Sequence, residues 1–386
     1  MEFDGQGLLM ALLVALPIAF AMGWLASRLD LRQWRRSDRE APKAYFKGLN
    51  LLLNEQPDKA IDAFIEAVQH DPDTSELHFA LGNLFRRRGE FERAVRVHQH
   101  LLQRADLRPA ERERAQHALA QDFVKAGLFD RAEAAFRALQ GTPYDTEAGL
   151  ALLTLAERTR DWREAVELAA QLETSGTGSF ATRIAHYHCE LALQADEQGD
   201  GAAADAALDL AQAVAPLSAR PLIQRAERLA RLGDAEAALQ AYRALRDCSP
   251  DSYARVAGDV AACALAASRV ADVRATMLQL YDRQPGLDLL RALAQLEGQA
   301  AGASPRLLPL LREQPSLSAA LELLDSPPVP WPDQAGQAVR DAVARAARPL
   351  QRYRCAACGF EAQRHFWQCP GCLGWDTFPP QRLEEL

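Results

Sequence analysis

The chain has little of what a strand-rich or nucleic-acid-binding protein needs. Only 7% of its 386 residues are aromatic, and runs of Val, Ile and Thr are almost absent, although these are the residues that favour strands. The chain also has fewer basic than acidic residues, with a formal net charge of -8 and a pI near 5.6. This acidic balance argues against nucleic acid as the main partner. Ala, Leu, Arg, Glu and Gln dominate instead, and they predict a nearly all-helical protein.

A convincing set of catalytic residues is also missing. The eight histidines are scattered. His186 and His188 lie two residues apart, which places them on different faces of a helix, and neither is near an obvious nucleophile. Residues 173–179 contain Gly-Thr-Gly-Ser, but a phosphate-binding loop would need a following Lys and a preceding strand, so we interpret them as a flexible connection. We therefore expect a protein that is not an enzyme.

Two Cys-x-x-Cys pairs close the sequence, Cys355/Cys358 and Cys369/Cys372. In each pair a tight turn can present both sulfurs to one ion, and the two pairs together complete a tetrahedron of thiolates. Two disulfides are the alternative. The remaining cysteines sit singly within helical patterns as small apolar residues, and unpaired thiols indicate a reducing compartment: Cys189, Cys248 and Cys263.

The cysteine-rich segment, residues 353–378, resembles a rubredoxin-type pair of metal-binding knuckles. It is too short to hold a core of its own, so we expect metal binding and folding to be one event. Thiolate tetrahedra accept iron or zinc; the likeness favours one iron ion, with zinc as the alternative. Electron transfer is then a rival function, although Leu373 stands where a rubredoxin usually has glycine. We expect His365, between the knuckles, to be solvated or hydrogen-bonded and not a ligand.

The segment also carries many aromatic side chains for so small a fold. We expect some of them to pack against the rest of the protein: Phe360, Phe366, Trp367, Trp375 and Phe378.

At the other end, residues 7–26 run without a charge and are just long enough to cross a bilayer as a helix. A cleaved signal peptide is the competing interpretation, but Glu2 and Asp4 replace the usual positive start, and no clear cleavage site follows. Arginines are frequent in the next segment, so the positive-inside tendency predicts a single-pass protein whose large carboxy-terminal part faces the cytoplasm.

A period of 34 residues runs through the middle of the chain. Gly48 recurs as Gly82 and Gly199 as Gly233, and the pattern of small and large apolar residues resembles the tetratricopeptide repeat. Units at about 48–72 and 226–250 fit best, whereas the fourth and seventh lose several positions. Such repeats stack into a superhelix whose concave surface binds a segment of another protein; a mere spacer is the alternative.

These features predict an all-α protein with five parts. They are a transmembrane anchor (1–27), a basic juxtamembrane segment (28–43), a tetratricopeptide-repeat array with capping helices (44–325), a linker and helix (326–350), and a rubredoxin-like metal-binding module (351–386). Within the fourth part, residues 326–332 are proline-rich and predict a stiff linker, followed by a helix from about 333 to 347.

The order of anchor, repeat array and metal module, with YFKGLNLLLNEQPDKAIDAF, YRCAACGF and FWQCPGC, resembles the lipopolysaccharide assembly protein B family of Gram-negative bacteria. The resemblance implies an inner-membrane adaptor that promotes degradation of the deacetylase LpxC by the protease FtsH and is counteracted by the inner-membrane protein YejM. It implies four metal ligands, Cys355, Cys358, Cys369 and Cys372. A scaffold for envelope assembly without a proteolytic role is the alternative, and the sequence leaves a homo-oligomer open.

Overall fold

The structure is a computed structural model, which describes residues 17–24, 46–51, 54, 56–70, 74–325 and 333–385. The chain divides into two compact units, Met1–Arg158 and Thr159–Leu386. The described residues of both units are mostly helical, as the composition predicts, and the helices pack against their neighbours in the chain.

The described residues of the first unit are mostly helical. The bounds of the helices are α1 (17–24), α2 (46–51), α3 (Pro57–His70), α4 (Ser75–Arg87), α5 (Phe91–Leu102), α6 (Pro109–Lys125), α7 (Phe129–Arg137) and α8 (Asp145–Thr159).

The second unit continues the pattern and ends in the small module. Its helices are α9 (Trp162–Thr174), α10 (Ala181–Glu197), α11 (Gly201–Val214), α12 (Ala219–Arg231), α13 (Ala235–Cys248), α14 (Pro250–Arg255), α15 (Ala257–Ala266), α16 (Val270–Arg283), α17 (Leu287–Leu296), α18 (Leu307–Glu313), α19 (Leu317–Leu324) and α20 (Asp333–Leu350). Two 3-10 turns, Ala301–Ala303 and Leu383–Glu385, and two short strands, β1 (Tyr353–Arg354) and β2 (Glu361–Ala362), complete it.

Close helix packing within a repeat depends on glycine. A Cβ added to Gly48 would lie 2.8 Å from the Phe64 ring, and one added to Gly82 would lie 2.4 Å from the His98 ring. Both pairs are sixteen residues apart, so the two repeats share one contact, in which a glycine on the first helix receives a ring from the second. The predicted pairing of small and large residues is therefore confirmed in these repeats.

We expect Gly82→Ala to destabilise the first unit by about 1–3 kcal/mol, the usual cost of overpacking a closed interior. His98 cannot swing away, since its Nδ1 lies 2.5 Å from Oδ2 of the buried Asp122. Chemical denaturation followed by circular dichroism measures the change. Gly258→Ala is the matched control, because a Cβ there meets nothing within 4 Å. Equal stability of the two variants would contradict the contact.

The turns inside the repeats of the second unit also follow a common rule. Gly199 and Gly233 have φ of 77° and 84°, values that glycine adopts without strain. The aspartate after each glycine then caps the next helix, because Asp200 and Asp234 each accept a hydrogen bond from the backbone N–H three residues on, at 3.0 Å. In the less regular fourth repeat Arg160 adopts φ of 60° at this position.

Several predictions about the ends of the chain fall on residues outside the described ranges. The proline-rich linker 326–332 is one, and most of the span 7–26 is another, so both stay predictions. Among the residues that the structure describes, no helix has both the length and the apolar character needed to cross a membrane. The predicted helix 333–347 in fact extends to Leu350; it can contain Pro349 because only hydrogen bonds of the last turn are lost there.

Candidate metal centre

The four cysteine sulfurs of the small module come together in one cluster. All four Sγ atoms lie within 4.8 Å of one another, with 3.8 Å between Cys355 and Cys372 and 3.6 Å between Cys358 and Cys369. Thiolates at about 2.3 Å from a central ion stand about 3.8 Å apart in a tetrahedron. The cluster therefore fits one metal ion of the kind that tetrahedral thiolate sites hold, and both iron and zinc meet this condition. All seven cysteines of the chain are free, so the disulfide alternative is not the arrangement in the structure.

The two knuckles are built alike from backbone hydrogen bonds. In the first, Cys355 N–H donates to Phe360 O at 2.9 Å and Gly359 N–H donates to Cys355 O at 2.9 Å. In the second, Cys369 N–H donates to the carbonyl five residues on, and Leu373 N–H donates to Cys369 O, both at 2.8 Å. Each turn thus holds its pair of sulfurs on the same side.

Strand pairing closes the base of both knuckles. The antiparallel pair β1 and β2 frames the first knuckle, and a single bridge between Gln368 and Trp375 frames the second. Burial differs within each pair, because Cys355 and Cys369 are buried whereas Cys358 and Cys372 are exposed.

The surroundings of Cys355 favour the thiolate. Burial acts to raise the pKa of this thiol, but hydrogen bonds from the Thr377 hydroxyl and from the backbone N–H groups of Cys358 and Ala357 outweigh it and lower the pKa to about 6. Metal ligation requires the deprotonated sulfur. The backbone N–H of Phe360 acts to lower the pKa of the neighbouring Cys358 thiol, but burial and the other three sulfurs raise it to about 12, so a second thiolate in the cluster needs a cation beside it.

Leu373 occupies a strained backbone position. Its φ is 59°, whereas Gly359 at the equivalent place in the first knuckle has φ of 77°. A left-handed conformation costs a non-glycine residue about 1–2 kcal/mol. Leu373 therefore adopts the left-handed backbone conformation that a glycine would adopt at this position of the rubredoxin pattern.

Because of this strain, we expect Leu373→Gly to tighten metal binding about two- to fivefold, since relief of the strain exceeds the entropy that glycine adds to the unfolded chain. Gly359→Ala should weaken binding. Competition with a chromophoric chelator measures both dissociation constants. Weaker binding by Leu373→Gly would show that the leucine side chain contributes more than its backbone costs.

The module has a small core of its own, so the expectation that it is too short to hold one is wrong. Tyr353, Cys355, Cys369 and Phe378 are buried together, with Phe366 packed against them. Of the five aromatic residues considered for contact with the repeats, Phe366 and Phe378 therefore belong to the module's own core. Phe360 is 40% exposed.

His365 belongs to the same core. Its Nε2 lies 3.1 Å from Phe378 O, and burial, together with the positive charge of Arg255, lowers the pKa of the imidazole to about 4. The ring is therefore neutral at physiological pH. The hydrogen-bonded interpretation of His365 is confirmed, and the residue is half-buried.

The two tryptophans of the second knuckle do contact the repeats, as predicted. Trp375 stacks on His186 of α10 with ring centroids 4.7 Å apart and an angle of 17° between the planes. It also meets Tyr187 at 5.8 Å and Trp162 of α9 at 6.1 Å, both edge to face. The carboxylate after it, Asp376, lies 2.7 Å from Nε2 of His186.

Two arginines extend this contact along the repeats. Arg220 of α12 lies 5.8 Å from the Trp375 ring and 6.0 Å from the Trp367 ring, and Arg255 of α14 lies 5.6 Å from the Trp367 ring. His186 and Arg220 are 34 residues apart, so they hold the same position in successive repeats. The module therefore contacts side chains from several successive repeats.

A polar chain continues from the module into α10. Arg220 donates to Glu190 Oε1 at 2.5 Å and lies 3.4 Å from Nδ1 of His186. Because arginine can only donate, Nδ1 of His186 accepts and its Nε2–H donates to Asp376. Sequence analysis missed His186 and Arg220. The one available signal was their spacing by a single repeat period.

A further tie holds the carboxy-terminal segment. Arg382 donates to Asp288 Oδ1 at 3.1 Å, and Leu383 N–H donates to Arg352 O at 2.9 Å. Glu384 Oε2 accepts from Ser318 N–H at the start of α19. The module is thus attached to the helices of the second unit at both of its ends.

Comparisons with known proteins match all parts of the chain. Residues 353–380 match a family described as rubredoxin metal binding domain, and residues 77–113 match the tetratricopeptide repeat. The chain is 30% identical over 380 residues to lipopolysaccharide assembly protein B of Escherichia coli K12, covering 96% of this chain and 98% of that protein. It is 26% identical over 396 residues to the protein of the same name from Haemophilus influenzae, covering 97% and 98%.

Solved structures of low sequence identity are also similar. A tetratricopeptide repeat protein from Parabacteroides merdae is 14% identical and covers 67% of this chain and 99% of its own, with a TM-score of 0.34.

Proposed function

Because the chain belongs to the lipopolysaccharide assembly protein B family, we propose that it is a non-enzymatic adaptor that regulates lipopolysaccharide biosynthesis at the inner membrane. The observation that carries the proposal is the alignment along almost the whole length of both chains, which includes the repeats and the metal module together. Repeat arrays of this type act by holding segments of other proteins.

In the finer form of the proposal, the adaptor brings the deacetylase LpxC to the membrane protease FtsH, and a YejM-like inner-membrane protein opposes it. A single-pass anchor at residues 7–26 would place adaptor and protease in one membrane, which raises their effective concentration without a tight contact. The exposure of Ile18, Phe20, Met22 and Trp24, each more than half accessible in α1, supports an apolar environment for this helix. The large carboxy-terminal part would then face the cytoplasm.

The proposed ligands of the metal are Cys355, Cys358, Cys369 and Cys372, which would hold one iron ion, or zinc as the alternative. The ion would supply the cross-link between two knuckles that share only a small core. The chain's own residues do the rest: Trp367 and Trp375 hold the knuckles against the repeats, and Asp376 fixes their orientation through His186.

Affinity capture from membranes tests the adaptor proposal against a scaffold. The tagged full chain, captured from cells whose FtsH carries an inactive protease site, should return both LpxC and FtsH. A variant without residues 7–26 should lose FtsH first, because it loses the shared membrane. Capture of biosynthetic enzymes without the protease would instead favour the scaffold.

Exposure of Cys358 and Cys372 favours electron transfer as a second candidate, since two sulfurs at the surface give an iron site access to a redox partner. Zinc replacement decides between the two functions, because zinc does not change oxidation state. A zinc-loaded chain that restores LpxC turnover as well as an iron-loaded one would exclude electron transfer.

A further inference from the structure

The surface beneath Trp375 has the features of a binding site. Trp162, His186, Tyr187 and Arg220, which we call the aromatic cradle, surround one tryptophan ring on three sides by stacking, edge contacts and a cation. All four of these side chains are buried: His186 and Tyr187 have no exposed surface, and Arg220 and Trp162 are 3% and 4% exposed. Aromatic rings arranged in this way give specific contact beyond their buried area.

The cradle also selects the residue that follows the ring. His186 presents its Nε2–H to one carboxylate oxygen at 2.7 Å, and its other nitrogen is held by Arg220, which is in turn paired with Glu190. The imidazole cannot turn its donor elsewhere without breaking this chain. The cradle therefore favours an aromatic residue followed directly by an acidic one.

The occupant in the structure comes from the same chain. Trp375 and Asp376 lie in the second knuckle, 190 residues away from His186 in sequence. In the folded knuckle Asp376 has φ of 52° and its N–H donates to Trp367 O at 2.9 Å, so the backbone of the knuckle presents both side chains to the cradle together. Since the knuckle's fold depends on the four sulfurs, the covering of the cradle depends on the metal.

We infer that the aromatic cradle is a binding site for an aromatic-acidic pair of residues, that Trp375 and Asp376 occupy it in the metal-loaded chain, and that loss of the metal opens it to such a pair on a partner protein. The inference rests on the proposed adaptor function for the existence of that partner. It adds the residue chemistry that the partner must carry and a condition under which the partner binds.

Reactivity of His186 with diethyl pyrocarbonate, measured by mass spectrometry on the full chain, tests the opening. The reagent modifies accessible neutral imidazoles. In the metal-loaded chain His186 should be as unreactive as His98, which is buried in the first unit. After chelation His186 should react at least about tenfold faster, as expected for a site exposed by local unfolding. His98 should stay protected and thereby report that the repeats remain folded.

A Trp375→Ala variant and a competing peptide extend the test. Trp375→Ala should expose His186 with the metal still bound, and the module's own His365 should become reactive only after chelation. A capped peptide of residues 373–378, Leu-Gly-Trp-Asp-Thr-Phe, should slow the reaction of His186 in the chelated chain, and the same peptide with alanine for tryptophan should not.

Protection of His186 after chelation, when His365 has become reactive, would overturn the opening of the cradle. Exposure of His186 that neither peptide slows would overturn its preference for an aromatic-acidic pair. Neither outcome touches the degradation of LpxC, which is measured separately in cells, so failure of this inference is distinguishable from failure of the proposed function.

Discussion

Replacing Cys355 and Cys358 by serine should reduce the bound metal from one ion per chain to none, while the helices of the repeats persist. Two hydroxyls in place of two thiolates remove half of the ligand set, and soft metal sites of this kind need all four sulfurs. The binding energy of such a site, about 10 kcal/mol or more, is also its folding energy. The module should therefore unfold with metal loss.

Elemental analysis after gel filtration measures the metal, and circular dichroism measures the helices. Cys248→Ser is the matched control, because this thiol lies at the end of α13, outside the cluster. It should retain one ion. A double variant that keeps a full equivalent of metal would contradict the assignment of the ligands.

Asp122→Ala should cost the first unit about 3–5 kcal/mol, which is typical when one partner of a buried ionic network is removed. Asp122 has no exposed surface and links three helices, since its two oxygens meet Arg86 of α4 at 2.9 Å and His98 of α5 at 2.5 Å. Without it, His98 Nδ1 loses its partner in the interior, and Arg86 keeps only Ala118 O and Asn83 Oδ1 as acceptors. Few positions in the first unit should be as sensitive.

Hydrogen exchange, resolved by peptide, measures this loss of stability within the first unit of the full chain. The slowest amides of α4 to α6 should exchange roughly a hundredfold to several thousandfold faster, if they open by unfolding of that unit. Asp62→Ala, at an exposed position of α3, should change little. Unchanged exchange in α4 to α6 would mean that Arg86 and His98 find other partners.

The repeats and the metal cluster could be predicted because their signals are local or periodic. The two Cys-x-x-Cys pairs have the spacing of a metal-binding motif within a short stretch of sequence, and Gly48 recurs as Gly82 after one repeat period. The same holds for the left-handed turns at Gly199 and Gly233, where glycine marks the backbone requirement directly. Family membership followed from the order of these parts and is confirmed by the relatives.

The docking of the module could be predicted only in outline. The excess of aromatic residues indicated that some would pack against the repeats. It did not indicate that these would be Trp367 and Trp375, while Phe366 and Phe378 pack in the module's own core. The receiving residue, His186, lies 190 positions away from Asp376, and no pattern connects them. The packing of His98 against Gly82 could not be predicted either, because a histidine stands at the repeat position that Phe64 occupies in the preceding repeat.

The half-life of LpxC in growing cells tests the central claim most directly. It is measured after translation is stopped, in cells with and without this chain, with FtsH present in both. The adaptor account predicts that LpxC persists severalfold longer when the chain is absent, and that the wild-type chain, but not Cys355→Ser/Cys358→Ser, restores rapid turnover. An unchanged half-life on removal of the chain would contradict the account.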